Sequence, residues 1–208
     1  MSGVALKLIA GLGNPGADYA RTRHNVGFWF VDELVRRHGG TFRLESRHQA
    51  ELARVRIGGA ELWLAKPTTY MNLSGTAVGS VAHFYRIAPE EILIAYDELD
   101  FPPGKARLRQ GGGTAGHNGV TDVVAHLGEA FWRLRIGIGR PSARGAGIDR
   151  VLSRPTGEEE RLIRETIEAG ADAVATMLEQ GAQIAMNRLH SRDAPASEPG
   201  PPQGTPGT

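Results

Sequence analysis

The chain has 208 residues, 40% apolar and 23% charged, with 24 basic against 23 acidic side chains and no cysteine. That length suits one domain with a full core, and the composition excludes a wholly disordered chain, a disulfide framework, a thiolate metal site and a cysteine nucleophile. No run of about 18 apolar residues occurs, so no membrane span is expected. The opening Met-Ser-Gly-Val-Ala-Leu-Lys lacks the basic and apolar regions of a secretion signal, and a reducing cytoplasm is the expected location.

Residues 6–12 predict a buried first strand closed by the Gly13-Asn14-Pro15-Gly16 turn. After a polar loop, residues 26–38 repeat apolar side chains at three- and four-residue spacing and stop at Gly39-Gly40, which predicts a helix. Residues 51–57 and 61–65, split by Gly58-Gly59, predict a hairpin. Residues 72–86 predict a helix, and 92–95 a buried strand leading into Tyr96-Asp97-Glu98-Leu99-Asp100. There follow a strand near 105–109, a glycine-rich loop, a helix near 118–127 and a strand at 134–138. Glu158 to Glu160 open a helical segment expected to reach about Arg188. Strands interleaved with helices, plus one hairpin, imply an α/β fold: a single domain over 1–190 with a mixed twisted sheet flanked by helices. Residues 191–208 hold five prolines, three glycines and no aliphatic side chain larger than Ala, and are expected to form a disordered tail.

Charge is unevenly spread. Residues 101–155 carry nine basic and three acidic side chains, whereas 156–190 carry three and seven. Such asymmetry can draw phosphates to one face of a nearly neutral molecule, although a mixed solvated surface is the plainer reading.

Gly11-Leu-Gly-Asn-Pro-Gly16 fits the spacing of a dinucleotide loop, but about ten polar residues separate it from the next helix, and Asp32 and Glu33 fall inside that helix. A nicotinamide cofactor is therefore not expected. The polar groups at the turns are more telling. Asn14, Tyr19 and His24-Asn25 follow the first strand, and Tyr70-Met71-Asn72 lies between a strand and a helix. Asp97 is placed just past a buried strand, and His117-Asn118 opens a helix. Ligands of open α/β sheets bind at the carboxyl ends of strands, where these groups would gather. An imidazole beside a carboxylate suits general-base activation of water, and carboxamides can orient a carbonyl and stabilise an oxyanion. Each residue alone has an ordinary explanation as a turn former or helix cap. No G-x-S-x-G elbow, H-E-x-x-H pair or phosphate-loop lysine is present, and the seven histidines show no metal-ligand spacing with nearby carboxylates.

Four blocks, GLGNPGADYARTRHNVG, KPTTYMNLSG, AYDELDFPPGKARLRQGGGTAGHNG and RLRIGIGRP, together resemble the bacterial-type peptidyl-tRNA hydrolase family in order. The resemblance implies a monomer that cleaves the ester joining a peptide to the ribose of tRNA, without metal or organic cofactor, during recycling of tRNA from abandoned translation. It makes His24 the base, Asp97 its partner, and Asn14 the residue that separates peptidyl-tRNA from free aminoacyl-tRNA. Tyr19, Tyr70, Met71, Asn72, His117 and Asn118 would line the cleft, with Asn72 and Asn118 near the carbonyl and the water, and Arg109 and Arg135 would contact backbone phosphates. Arg109 stands where lysine is common in the family. A binding module built on the same fold, with the catalytic role lost, is the competing expectation, and retention of His24 and Asp97 argues against it.

Overall fold

Leu8–Gly11 (β1) is a run of four buried residues, which is what a strand covered on both faces requires. It lies at the centre of a seven-stranded sheet in the computed structural model, which describes residues 4–141 and 146–192. Five of its companions were expected: Ala50–Ile57 (β3), Ala60–Pro67 (β4), Ile92–Glu98 (β5), Ala106–Gln110 (β6) and Trp132–Gly137 (β7). The sixth is the short Arg43–Glu45 (β2), and the order across the sheet is β2-β3-β4-β1-β5-β7-β6. The inner strands β4, β1, β5 and β7 run parallel, while β2, β3 and β6 add antiparallel margins. The sheet is mixed, as expected.

Alternation along β1 sends Leu8 and Ala10 to one face and Ile9 to the other, so two cores form. The larger core joins Ile9, Leu134 and Ile136 to Val26–His38 (α1), Gly157–Gln180 (α5) and Ala182–Ser191 (α6). The smaller joins Leu8, Ile94 and Phe131 to Ser74–Phe84 (α2) and Asn118–Leu127 (α3). In α1, Val26, Phe30, Val31 and Leu34 form the buried stripe. Phe30 is fully buried, and truncation of such a side chain to Ala costs about 3–5 kcal/mol.

Several boundaries differ from expectation for physical reasons. The helix expected from residue 72 begins at Ser74, because Met71–Leu73 form a tighter 3-10 turn, and it ends at Phe84. Asp97 lies inside β5 instead of after it, since pairing with β7 continues through Asp97↔Ile136 and Glu98↔Gly137. The long C-terminal helix is two helices. Gly181, with φ of 96°, turns the chain between α5 and α6. A one-and-a-half-turn helix, Gly147–Leu152 (α4), stands between β7 and α5, where no element was expected. Almost all of the expected tail, from 193 onward, lies outside the described residues, and α6 runs one residue past the expected domain end.

Candidate active site

The first two glycines of the dinucleotide-like pattern serve packing. A Cβ at Gly11 would lie 2.0 Å from the Gly27 carbonyl oxygen, and one at Gly13 within 2.9 Å of the Phe28 ring. Small residues here let the start of α1 press onto β1 and β5. No helix follows Gly16 directly, so the backbone donors of a pyrophosphate site are missing from that turn.

That close packing carries the 3-10 turn Arg23–Asn25 to the carboxyl end of β5. There His24 Nδ1 is 2.8 Å from Asp97 Oδ1, and His117 Nε2 is 2.9 Å from the same oxygen. Side-chain exposure is 13% for His24, 1% for Asp97 and 9% for His117, so the acid is sealed while the first ring reaches solvent. Burial pushes the Asp97 carboxyl up, but the facing His117 and His24 rings outweigh it and hold the group well below the usual carboxylate range. Asp97 is therefore ionised and acts only as an acceptor, so both ring nitrogens facing it donate. In the neutral His24 ring, Nε2 is then the nitrogen that carries the lone pair. His117 is fixed a second time: it is the N-cap of α3, where its Nδ1 accepts the Val120 N–H at 3.3 Å.

The three groups bring one ligand atom each within 4.8 Å of one another, a set that could hold a metal ion. Sequence spacing does not disclose this set, because its members are 73 and 20 positions from Asp97. Their nitrogens sit on Asp97 at hydrogen-bond separation, so an ion bound by all three would have to replace both N–H donors.

Asn14 is held from both sides. Its N–H donates to Asn25 Oδ1 at 3.0 Å, and its carbonyl accepts from Asn25 Nδ2 at 2.9 Å. Its own Oδ1 accepts the Met71 N–H at 2.8 Å, which assigns the oxygen, because a backbone N–H can only donate. The Asn14 carboxamide thus presents Nδ2 as its uncommitted donor. Met71 in turn packs on the start of α3, where a Cβ at Gly119 would be 2.5 Å from its Sδ and 3.2 Å from the His117 ring. Through these contacts the Asn14, Met71-Asn72 and His117-Asn118 segments adjoin. Asn72 and Asn118 are exposed, and Tyr19 meets Tyr70 edge-on at 6.3 Å between ring centroids.

A cavity of about 220 Å³ opens on His24, Asp97, His117 and Asn118, with Leu99, Ile148 and Val151 as an apolar wall. A second, of about 430 Å³, opens on Asn14 with Phe28, Trp29 and Lys66. The structure therefore brings His24, Asp97, His117 and Asn118 to one cavity and places Asn14 on another. Residues 147–151 were missed as a wall, because the stretch carries no chemistry-bearing side chain facing the base. Asn25 was read only as part of a polar turn, and its pairing with Asn14 had no sequence signal.

The two candidate phosphate contacts differ. Arg109 is exposed at the end of β6, its guanidinium lying over Gly112. Arg135, 18% exposed, is drawn onto buried Glu98, with NH2 2.8 Å and Nε 2.9 Å from Oε2. Arg133, fully buried beneath them, holds the glycine-rich loop through the Gly113 carbonyl at 2.7 Å.

Known proteins share both sequence and shape with this chain. A family profile described as Peptidyl-tRNA hydrolase matches residues 8–197. A peptidyl-tRNA hydrolase of Alkalilimnicola ehrlichii is 50% identical over 90% of this chain and 96% of its own length. That of Edwardsiella ictaluri is 49% identical over 93% of this chain and 100% of its own. The crystal structure of the Acinetobacter baumannii peptidyl-tRNA hydrolase superposes with a TM-score of 0.88 at 42% identity, covering 92% of this chain and 97% of that one. Sequence and shape agree over nine-tenths of the molecule, and the chain belongs to the peptidyl-tRNA hydrolase family.

Proposed function

We propose that this protein hydrolyses the ester between the peptide and the 3′ ribose of peptidyl-tRNA, with His24 as the base that activates water. The observation that carries the reading is the 2.8 Å contact between His24 Nδ1 and sealed Asp97, at the mouth of a cavity that the ring enters with its other nitrogen free. Asp97 fixes the tautomer, and as Nε2 takes a proton from water the adjacent carboxylate stabilises the imidazolium. Hydroxide adds to the ester carbonyl. Collapse of the tetrahedral intermediate breaks the bond to the ribose oxygen, which takes back the proton held on His24 Nε2, so the neutral ring is restored as peptide and tRNA leave. Asn72 and Asn118 act as donors toward the carbonyl oxygen and the water. An oxyanion donor of this kind is worth about 3 kcal/mol in other enzymes.

Asn14 Nδ2 is the donor placed to test whether the amino group of the esterified residue is acylated, since an amide carbonyl accepts a hydrogen bond and an ammonium cannot. Tyr19, Tyr70 and Met71 form the adjoining wall, and Arg109 and Arg135 meet backbone phosphates. The protein acts as a monomer in the cytoplasm on a nucleic-acid substrate, with residues 1–190 as the working domain and no cofactor. Among the described residues no helix is long and apolar enough to cross a membrane. The decisive assay is release of an N-acetylated amino acid from N-acetyl-aminoacyl-tRNA by purified protein. Steady turnover of that substrate, with the free aminoacyl-tRNA left intact, is the expected result, and absence of turnover defeats the reading.

A further inference from the structure

Arg23 directly precedes the base, yet its side chain is only 4% exposed. It turns away from the cavity and meets Glu159 of α5, NH2 to Oε2 at 2.5 Å, and Ser153, NH1 to Oγ at 2.6 Å. The other carboxylate oxygen of Glu159 takes Arg150 NH2, also at 2.5 Å. Arg150 reaches on to the carbonyls of Ile138 and Gly139 at the end of β7, at 2.7 and 3.2 Å. Glu159 thus joins the turn that carries His24 to α4, and Arg150 extends the tie to the strand end beside β5. Glu159 also closes its own helix, accepting the Thr156 N–H at 2.8 Å.

Two further facts give the arrangement a role beyond surface pairing. Arg150 sits on α4 beside Val151 and two residues from Ile148, and both of those line the cavity that His24 enters. Among the described residues, the hydrogen bonds tying 146–153 to the rest of the fold run through Arg23 and Arg150: the Arg23 N–H to Ser153 carbonyl bond at 3.1 Å and the side-chain bonds above. Burial pushes the Glu159 carboxyl up, but the Thr156 N–H and the Arg150 and Arg23 guanidiniums bring it down to about 2. The group is a full anion between two permanent cations.

We infer that Glu159 is a positioning residue: with Arg23 and Arg150 it clasps the His24 turn to α4, so that the base and the apolar wall opposite it keep one relative placement. The inference rests on the reading of His24 as the base. A misplacement of about 1 Å at a reacting group can cost about a hundredfold in rate, so loosening the clasp falls on kcat more than on tRNA binding.

The test is steady-state hydrolysis of N-acetyl-aminoacyl-tRNA by Glu159→Gln, run well below the thermal midpoint of the variant, with Glu160→Gln as control. Glu160 neighbours Glu159 in the first turn of α5 but pairs only outward with Arg164. The expected result is a fall in kcat of at least tenfold for Glu159→Gln with KM within threefold, and rates within twofold of the parent for Glu160→Gln. An unchanged kcat in folded Glu159→Gln protein overturns the inference, whatever happens to its midpoint. If that variant does not fold, Arg150→Lys, which keeps the charge but cannot span Glu159 and both carbonyls, is measured in its place. A tenfold loss of kcat supports the clasp and no loss overturns it. Were the parent protein inactive, the hydrolase reading would fall and the clasp would be judged by nitrogen-15 resonances of the His24 ring. Those resonances shift in Glu159→Gln if the clasp places the ring, and their constancy refutes it.

Discussion

Two carboxylates in this fold are each held between a pair of nitrogen groups of different chemistry. Asp97 sits between His24 and His117, and Glu159 between Arg23 and Arg150. The partners of Asp97 are imidazoles, one with its second nitrogen free, so a proton can arrive and leave. The partners of Glu159 are guanidiniums, which stay protonated at any working pH and offer only fixed forks of donors. Successive residues, Arg23 and His24, belong to the two centres. One turn therefore joins a centre whose charge would change in the proposed reaction to one whose charge does not. A proton-transfer site needs its second nitrogen uncommitted, whereas the anchor has both oxygens of Glu159 taken, Oε1 by Arg150 and Oε2 by Arg23.

The sharpest way to break this comparison is at the mobile proton. His24→Ala should leave the fold and tRNA affinity intact while turnover falls by about 10²- to 10⁴-fold, the usual worth of a general base. Full activity would move the chemistry elsewhere. Asp97→Asn comes next. With its amide oxygen in the place of Oδ1 it keeps an acceptor for both rings but removes the charge that stabilises the imidazolium. A loss approaching 10⁴-fold in kcat, as for the equivalent change in a serine protease triad, is expected at near-constant KM. A drop of less than about tenfold would mean that the acid serves only packing.

How far the two centres were readable from sequence differs for a physical reason. The bounds of α1 were legible, because its apolar repeat begins after the His24-Asn25 turn and stops at Gly39-Gly40. The strands β1 and β5 announced themselves as short apolar runs. β2 did not, since its residues are not buried and only its pairing with β3 defines it. His24 and Asp97 could be read as polar groups at strand ends and turns, and the family resemblance supplied their roles. That His117 shares the same carboxylate oxygen was not legible, because nothing local relates a helix cap to an acid 20 positions earlier. Glu159 was least legible of all. In sequence it is one of three acids opening a helix, the ordinary pattern of favourable charge at an N-terminus, and its partner Arg23 lies 136 positions away.

A weaker effect separates the centres by acidity. Glu159 is held at about 2, and Glu33, bonded first by Arg36 and then by Arg37, is also lowered to about 2. A carboxyl depressed in the folded protein contributes stability that is complete above its unfolded value near 4.5 and disappears as pH falls toward 2. The part of the urea midpoint that these two carboxylates carry should therefore decline between about 4.5 and 2. Glu33→Gln should be less stable than the parent at pH 7 and should lose less over that interval. The difference should be on the order of 1 kcal/mol once solvent screening of Arg36 is allowed for. Equal acid slopes for the two proteins would remove Glu33 from the balance.

The smallest expected effect concerns the two arginines proposed to meet the RNA, where the same contrast between a committed and an uncommitted charge recurs. Arg135 is already neutralised by Glu98 at 2.8 Å, whereas Arg109 is exposed at the strand end. A cation that replaces counterions on a phosphate contributes about 0.7–0.9 to the slope of log affinity against log salt. Arg109→Ala should lower the slope for tRNA binding by about that amount. Arg135→Ala should lower it by less, since its charge is already paired with Glu98. Fluorescence anisotropy of labelled tRNA between 50 and 300 mM salt, roughly the range in which such slopes are resolved, distinguishes the two. A larger slope change for Arg135→Ala than for Arg109→Ala would mean that Glu98 releases its arginine when RNA binds.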